Sequence, residues 1–300
     1  MRLFAASCAL VFLTTITVAQ QLPDPEFNTS VENSAYKKDG PRVMFDEAHH
    51  NFHTTDGRYK PFVDLVLNDG YRVIRNRLPF TKTTLSSYKV LVIANALGAE
   101  EDDDEGADKS AFTEEEIQAV LDWVKSGGAL LLVADHTPFG GAAAELASRF
   151  GVDMSKGYTS DPQNSVAGSP THLIFSRENK LLANHPVTEG REENERINLL
   201  RSFTGQSLKG PEGSVAILNL ADTATDSPTY ESQTSVSAAG RAQAVALKFG
   251  KGRVVVQGEA EMLSAQISGQ EQRKIGMNVP GNDNRKYALN LMHWLSGLLK

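Results

Sequence analysis

From Pro41 onward, short apolar runs alternate with amphipathic stretches, and their periods predict the elements. Arg42 to Phe45 has the Val43-Met44-Phe45 core of a strand. Arg58 to Asn68 places Phe62, Leu65 and Val66 on one face at helical spacing, and Asp69-Gly70 ends it. Tyr71 to Ile74 is a second strand. Lys89 to Ala94 is a third, apolar beyond its lysine as a strand covered on both faces should be. Thr113 and Glu116 form a capping box for the next helix, three glutamates fill its first turn, and Ile117, Val120, Leu121 and Val124 make its stripe. Gly127-Gly128 stops it, Ala129 to Ala134 gives a fourth strand, and Ala142 to Phe150 is a short helix.

The second half is less regular. Ser155 to Pro170 reads as a long loop and Asp222 to Gly240 as a mobile excursion. His172 to Phe175, Ser214 to Leu220, Ala244 to Phe249 and Arg253 to Gln257 are expected strands, the last two joined by a hairpin at Gly250-Lys251-Gly252. An amphipathic helix with Tyr287, Leu291, Trp294, Leu295 and Leu298 closes the chain. Strands and helices in alternation, with connections too long for hairpins, predict an α/β fold with a mainly parallel sheet.

Composition narrows the partners. With 300 residues, 40% hydrophobic and 22% charged, the chain has the makeup of an ordinary globular protein. Its net charge of −7 gives no electrostatic reason to expect nucleic acid or an anionic membrane. Arg2, the apolar run Leu3 to Ala19, and small residues at Thr17 and Ala19 predict a secretory signal over residues 1–19. The run is shorter than the ~20 apolar residues of a spanning helix, so no stable membrane span is expected after its removal. A secreted or periplasmic location follows. Residues 20–40, polar with Pro23 and Pro25, read as a flexible leader, and 41–300 as one domain. Cys8 is the only cysteine, and removal of the signal would leave no thiol.

The candidate chemistry lies where the predicted strands end. Phe45 to His53 reads Phe-Asp-Glu-Ala-His-His-Asn-Phe-His, and it delivers Asp46, Glu47, His49, His50 and Asn51 to a sheet edge. The third strand delivers Asn95, the fourth Asp135 and His136, and a late strand Glu259 and Glu261. Asn282, Asp283 and Asn284 precede the final helix, whose first amides could face an anion. Any one of these residues could merely cap a turn, but together they point to a crevice. Glu47, His50, Asp135, His136 and Glu259 are the candidates for acid and base work. Asp46, His49, Asn51, Asn95, Asn282 and Asp283 are the candidates for ligand contacts.

No cofactor is expected. A divalent metal is an open alternative: on a helical turn His49/His53 or His50/His53 would share one face, and Asp46 and Asp135 with His136 could complete a nitrogen and oxygen set, although no His-Glu-x-x-His or cysteine pair marks such a site. Asp46-Glu47-Ala48-His49 imitates a helicase box, but no Gly-x-x-x-x-Gly-Lys-Ser/Thr loop accompanies it. No Gly-x-Ser-x-Gly elbow occurs.

Several motifs, in order, resemble the class I glutamine amidotransferase-like superfamily. They are Trp123-Val124-x-x-Gly-Gly before Leu130-Leu131-Leu132-Val133, then His185-Pro186-Val187-Thr188-x-Gly190, then Phe249-Gly250-Lys251-Gly252-Arg253-Val254-Val255-Val256. The nearest branch is the uncharacterised bacterial group related to the gliding-motility and intraflagellar-transport (GIFT) domain. The resemblance spans about residues 41 to 299. It implies a flavodoxin-like sheet with helices on both faces, to which the hairpin is added. The superfamily's nucleophile is a cysteine on a sharp turn after a central strand, where this chain is expected to have Asp135-His136-Thr137. A thiol amidotransferase is thereby excluded, and relatives in this branch are suggested to bind carbohydrate or to act as non-catalytic modules. The expectation is an exported protein that binds, and as a hydrolase would cleave, a small polar or carbohydrate ligand. The alternative is a non-catalytic binding or assembly module of the cell envelope. Neither the ligand nor the oligomeric state is readable from the residues.

Overall fold

The computed structural model describes residues 21–300. The expected signal segment 1–19, including Cys8, lies outside the described residues. Five parallel strands form one side of a nine-stranded sheet: β1 (Arg42–Asp46), β2 (Arg72–Asn76), which is its edge, β3 (Val90–Ala94), β4 (Ala129–Val133) and β6 (Gly252–Gln257), which pairs on its far side with the antiparallel β5 (Ala242–Phe249). Their order across the sheet is β2-β1-β3-β4-β6-β5, a flavodoxin-like arrangement whose order reverses between β1 and β3. The hairpin from β5 to β6 turns at Gly250-Lys251, as the glycines predict. A Cβ on Gly252 would lie 2.1 Å from the Val124 carbonyl oxygen, so only glycine lets this hairpin close against the preceding helix.

Alternation along each strand divides the core. Val43, Phe45, Val92, Leu131, Val133 and Val255 face one side, where they meet α1 (Lys60–Asn68) and the final helix, α4 (Asn284–Ser296). Met44, Leu91, Ile93, Leu130, Leu132 and Val254 face the other, against α2 (Glu114–Lys125) and α3 (Phe139–Arg149). The α2 capping box forms as the sequence predicts: Thr113 accepts from the Glu116 amide, and the Glu116 carboxylate accepts from the Thr113 amide.

Three differences from the sequence expectations share one cause, which is pairing between segments distant in the chain. The leader is not loose, because Gln21–Pro23 pairs antiparallel with Ala265–Ser268. It is also tied at its far end, where the Ala35 amide donates to Asp69 at 2.7 Å and the Tyr36 amide to the Asp69 carbonyl. The expected loop Ser155 to Pro170 and the expected excursion Asp222 to Gly240 join in a three-stranded sheet of Tyr158–Ser160, Thr225–Ser227 and Val236–Ser237. Asp226 pins that sheet by accepting from the hydroxyls of Thr159 (2.6 Å) and Ser207 (2.5 Å).

Asp69 is the point where leader and body meet, since its other oxygen takes a 2.7 Å hydrogen bond from His293 in α4. Both side chains are buried, so removing one strands the other. Asp69→Ala is expected to cost about 3–5 kcal/mol of stability. In limited proteolysis it should open cleavage sites between Pro23 and Tyr36 before the body unfolds. A denaturant midpoint and digestion pattern unchanged from wild type would contradict this anchoring.

Candidate functional site

β4 and β6 are parallel neighbours in a register that pairs Val133 with Gln257, so their ends stop at the same level. The Ala134 amide still donates to the Gln257 carbonyl at 2.9 Å, and the two chains then part. A buried glutamine clamps the fork. Gln206 donates its side-chain amide to the carbonyls of Ala134 (2.9 Å) and Asp135 (2.8 Å), and its backbone N–H to Gly258 (2.8 Å). The side chain needs the bare face of Gly140 at the start of α3, where a Cβ would lie 2.5 Å from its Nε2.

Asp135 leaves from β4, and Glu259 and Glu261 leave from β6. One oxygen from each of the three carboxyl groups lies within 4.8 Å of the others. Asp135 and Glu259 are buried, while Glu261 keeps 13% of its side chain exposed. Asp135 is aimed by its backbone N–H, which donates to the Asn95 side chain at 3.0 Å, and its Oδ1 accepts from the His136 amide. Glu259 folds back on the short turn Glu261–Leu263, where its oxygens accept from the Glu261 and Met262 amides, each at 2.9 Å. Burial, and then the neighbouring carboxylates, push Asp135 and Glu259 well above the usual carboxylate range. Burial acts on Glu261 in the same direction, but His53 and hydrogen bonds from the other two acids outweigh it and lower Glu261.

Histidines and aromatic rings enclose these acids. His53 is fully buried, and its Nε2 is 3.9 Å from Glu261 Oε1. Among the described residues neither ring nitrogen of His53 has a hydrogen-bond partner, and burial lowers its pKa to about 4. It stacks on Tyr59 with centroids 4.6 Å apart, and the Tyr59 hydroxyl donates to the Ala260 carbonyl at 2.7 Å. His136 Nδ1 donates to the Thr137 carbonyl at 2.8 Å, which leaves Nε2 as the ring's acceptor. Its ring stacks on Tyr158 at 4.3 Å. The Arg58 guanidinium lies over the Phe52 ring and forms no ion pair with the acids.

Of the sequence-predicted residues, the structure brings together Asp135, His136 and Glu259, with Asn95 supporting Asp135. The Phe45–His53 stretch divides. Asp46 and His49 face away into a separate buried network: His49 Nδ1 bonds Asp46 (2.8 Å), its Nε2 bonds Glu116 (2.9 Å), and its ring sits between Phe80 and Phe112. This network, with every ring nitrogen satisfied, is an internal tie at the switch point between β1 and β3. Asn51 accepts from the His49 amide and belongs to the same tie. Glu47 is held by Thr55 at 2.7 Å and by Arg75 at 3.2 Å, and His50 is an exposed turn residue at φ +47°. Asn282 and Asp283 are occupied in the turn before α4, where Asp283 accepts from the Asn198 amide at 2.8 Å. The left-handed turn residue after a central strand is Asn95 (φ +49°), whereas Asp135 and His136 have no positive φ. Sequence reasoning mapped Glu261 to the right strand end without giving it a role, and weighed His53 only against its neighbouring histidines. Tyr59 and Tyr158 carried no signal beyond their aromatic type.

No family model matches this chain, and no curated protein does. Solved structures do. The mmIFT52 N-terminal domain is similar with a TM-score of 0.60 at 15% identity, over 85% of this chain and 97% of that one. The likeness is one of fold. Cytoplasmic Protein STM3548 from Salmonella typhimurium is similar with a TM-score of 0.51 at 12% identity, over 85% and 98% of the two chains. Cytoplasmic Protein STM1381 from Salmonella typhimurium LT2 follows at 0.50 and 14%, over 88% and 100%.

The His49 tie gives a signed pH dependence. Burial alone would lower His49, but Asp46 and then Glu116 raise it above its ordinary 6.5; burial would raise Glu116, but His49 and the Thr113 and Phe80 amides lower it below 4.5. The histidine's contribution is full below 6.5 and fades as pH rises through its raised folded value, while the glutamate's is full above 4.5 and fades as pH falls through its lowered one. The stability gap between wild type and His49→Gln should therefore be widest between pH 4.5 and 6.5. Urea unfolding at pH 5.5 and at about pH 8.5 tests this. A gap of equal size at both would show that the network does not titrate.

Proposed function

We propose that this protein binds a small polar or carbohydrate ligand at the C-terminal ends of β4 and β6, and hydrolyses it. The carrying observation is the cluster of Asp135, Glu259 and Glu261, with Glu261 reaching the surface. Carboxylate oxygens accept from hydroxyl groups, and the Tyr158 ring on His136 offers an apolar face beside them. A sugar has the same two surfaces, hydroxyls at its edge and C–H groups on its faces. Glu261 and His136 are the proton-exchanging groups that reach solvent, as hydrolysis by a positioned water requires.

Membership of the glutamine amidotransferase-like superfamily, in the branch related to the gliding-motility and intraflagellar-transport domain, belongs to the same proposal. The likeness to the mmIFT52 N-terminal domain and the flavodoxin-like strand order support it. Thiol chemistry is not part of it, because Cys8 is the chain's only cysteine. Arg2 and the apolar run to Ala19 support export and a secreted or periplasmic site of action. A second reading, a non-catalytic module of the cell envelope, draws support from Tyr230, exposed beside Tyr158, and from Val236, exposed on the outer strand of the same small sheet.

The two readings separate in a binding and cleavage screen against neutral mono- and oligosaccharides. Glu261→Gln should weaken binding of a captured sugar about tenfold, the loss expected for a hydrogen bond to a charged group, and should abolish its cleavage. Tyr158→Ala should weaken binding while sparing the fold, and the surface change Asp122→Asn should do neither. Binding and cleavage indifferent to Glu261→Gln would overturn the assigned site. Binding that needs Glu261 without any cleavage would favour the module.

A further inference from the structure

We infer that Asp135, Glu259 and Glu261, together with His53, bind one divalent cation of the class that accepts both carboxylate oxygen and imidazole nitrogen, Mn²⁺ or Zn²⁺. The inference deepens the reading above and rests on it for the location of the site, though not for the identity of the ligand.

Two independent observations carry it. The first is charge without a counter-charge. Among the described residues no lysine or arginine forms an ion pair with any of the three acids, although two of them are buried. Buried acids elsewhere in the molecule have partners, as Asp46 does in His49 and Asp69 in His293. A buried carboxylate left unpaired is costly, so a set of three calls for protons or a cation.

The second observation is His53. It is completely buried, both ring nitrogens lack a partner, and Nε2 faces Glu261 Oε1 at 3.9 Å. That gap is too long for a hydrogen bond. It fits two donors sharing one ion, since ligand bonds of about 2.1 Å set at a wide angle hold their donor atoms about that far apart. The three carboxylate oxygens lie within 4.8 Å of one another, while His53 meets the group through Glu261 and would swing inward to share the same centre. An all-oxygen set would favour Ca²⁺ or Mg²⁺, and the imidazole shifts preference toward transition ions.

The scaffold is suited to holding such a set in place. Backbone amides pin Glu259 from two sides, the β4–β6 register fixes Asp135 opposite it, and Tyr59 holds both His53, by stacking, and the Ala260 carbonyl between the two glutamates. Supporting contacts of this kind orient ligands and tune affinity.

The test uses the full chain, stripped with a chelator and then titrated with Mn²⁺, Zn²⁺, Ca²⁺ and Mg²⁺ by calorimetry and thermal melting. One Mn²⁺ or Zn²⁺ per chain is expected, with a rise in Tm of about 5 °C once the ion is near a hundredfold above Kd. Glu261→Gln should cut that affinity at least about tenfold, and His53→Gln should narrow the preference for Mn²⁺ over Ca²⁺. Asp122→Asn should change nothing. Because the buried variants risk misfolding, wild type with substoichiometric Mn²⁺ gives a second measurement: paramagnetic broadening should strike the ring resonances of His53 and Tyr59 first. A flat melting response to all four ions, affinity unchanged in folded Glu261→Gln, or broadening centred elsewhere would each overturn the cation site. Sugar binding by stripped protein with no response to metal would overturn the cation alone. A bound cation with no sugar binding would overturn the proposed function alone.

Discussion

Three carboxyl groups, two of them buried, meet at one point of this molecule, and much of its architecture serves to hold them there. Asp135 and Glu259 sit at the ends of adjacent parallel strands whose register admits no slip, because a one-residue shift would turn Leu131, Val133 and Val255 to the wrong face of the sheet. Gln206 then fixes both strand ends, that of β4 through its side-chain amide and that of β6 through its backbone N–H, and Gly140 yields the space that the side chain occupies. Packing of the apolar core thus sets the distance between the acids.

The contrast with other buried polar groups gives the cluster its meaning. His49 has both nitrogens bonded to acids, Asp226 takes two hydroxyl donors, and Asp69 takes an amide and an imidazole. These groups tie distant segments together and are saturated by doing so. The Asp135 cluster is aimed by backbone amides at its base, and beyond them its oxygens meet one another and a His53 without a hydrogen-bond partner among the described residues. Saturated networks build a fold, whereas an unsaturated one leaves capacity for something from outside.

The alternating half of the chain was legible because its signals are local. Period-two and period-3.6 patterns, the Thr113 capping box and the Gly250 hairpin each act within a few residues, and each element forms within about two residues of its expected bounds or overlaps them. What escaped depends on pairing across the chain. The partner of Gln21–Pro23 is Ala265–Ser268, and that of Tyr158–Ser160 is Thr225–Ser227, segments with weak β propensity whose strand state comes from their neighbours. The site shows the same division. Strand-end logic found Asp135, His136 and Glu259, but the dense run Asp46 to Asn51 proved mostly internal, because its acid–histidine spacing suits a buried tie as well as a catalytic pair. His53, two residues beyond that run, is the histidine aimed at the acids. Nothing in its immediate sequence separates it from His49 or His50.

The position of the two site-bearing strands along the chain carries a last consequence. Asp135 and Glu259 are 124 residues apart in sequence, although their strands touch. Contacts between β1, β2, β3 and β4 close over much shorter loops and need nothing from β6. A chain that forms its nearer contacts first brings its three acids together last, when the hairpin of β5 and β6 closes the sheet against an already packed surface. The seam between β4 and β6 is then both the final joint of assembly and the place where charge is concentrated. Any species that neutralises that charge would bind the finished fold and not its precursors, and so act as a latch on the completed sheet.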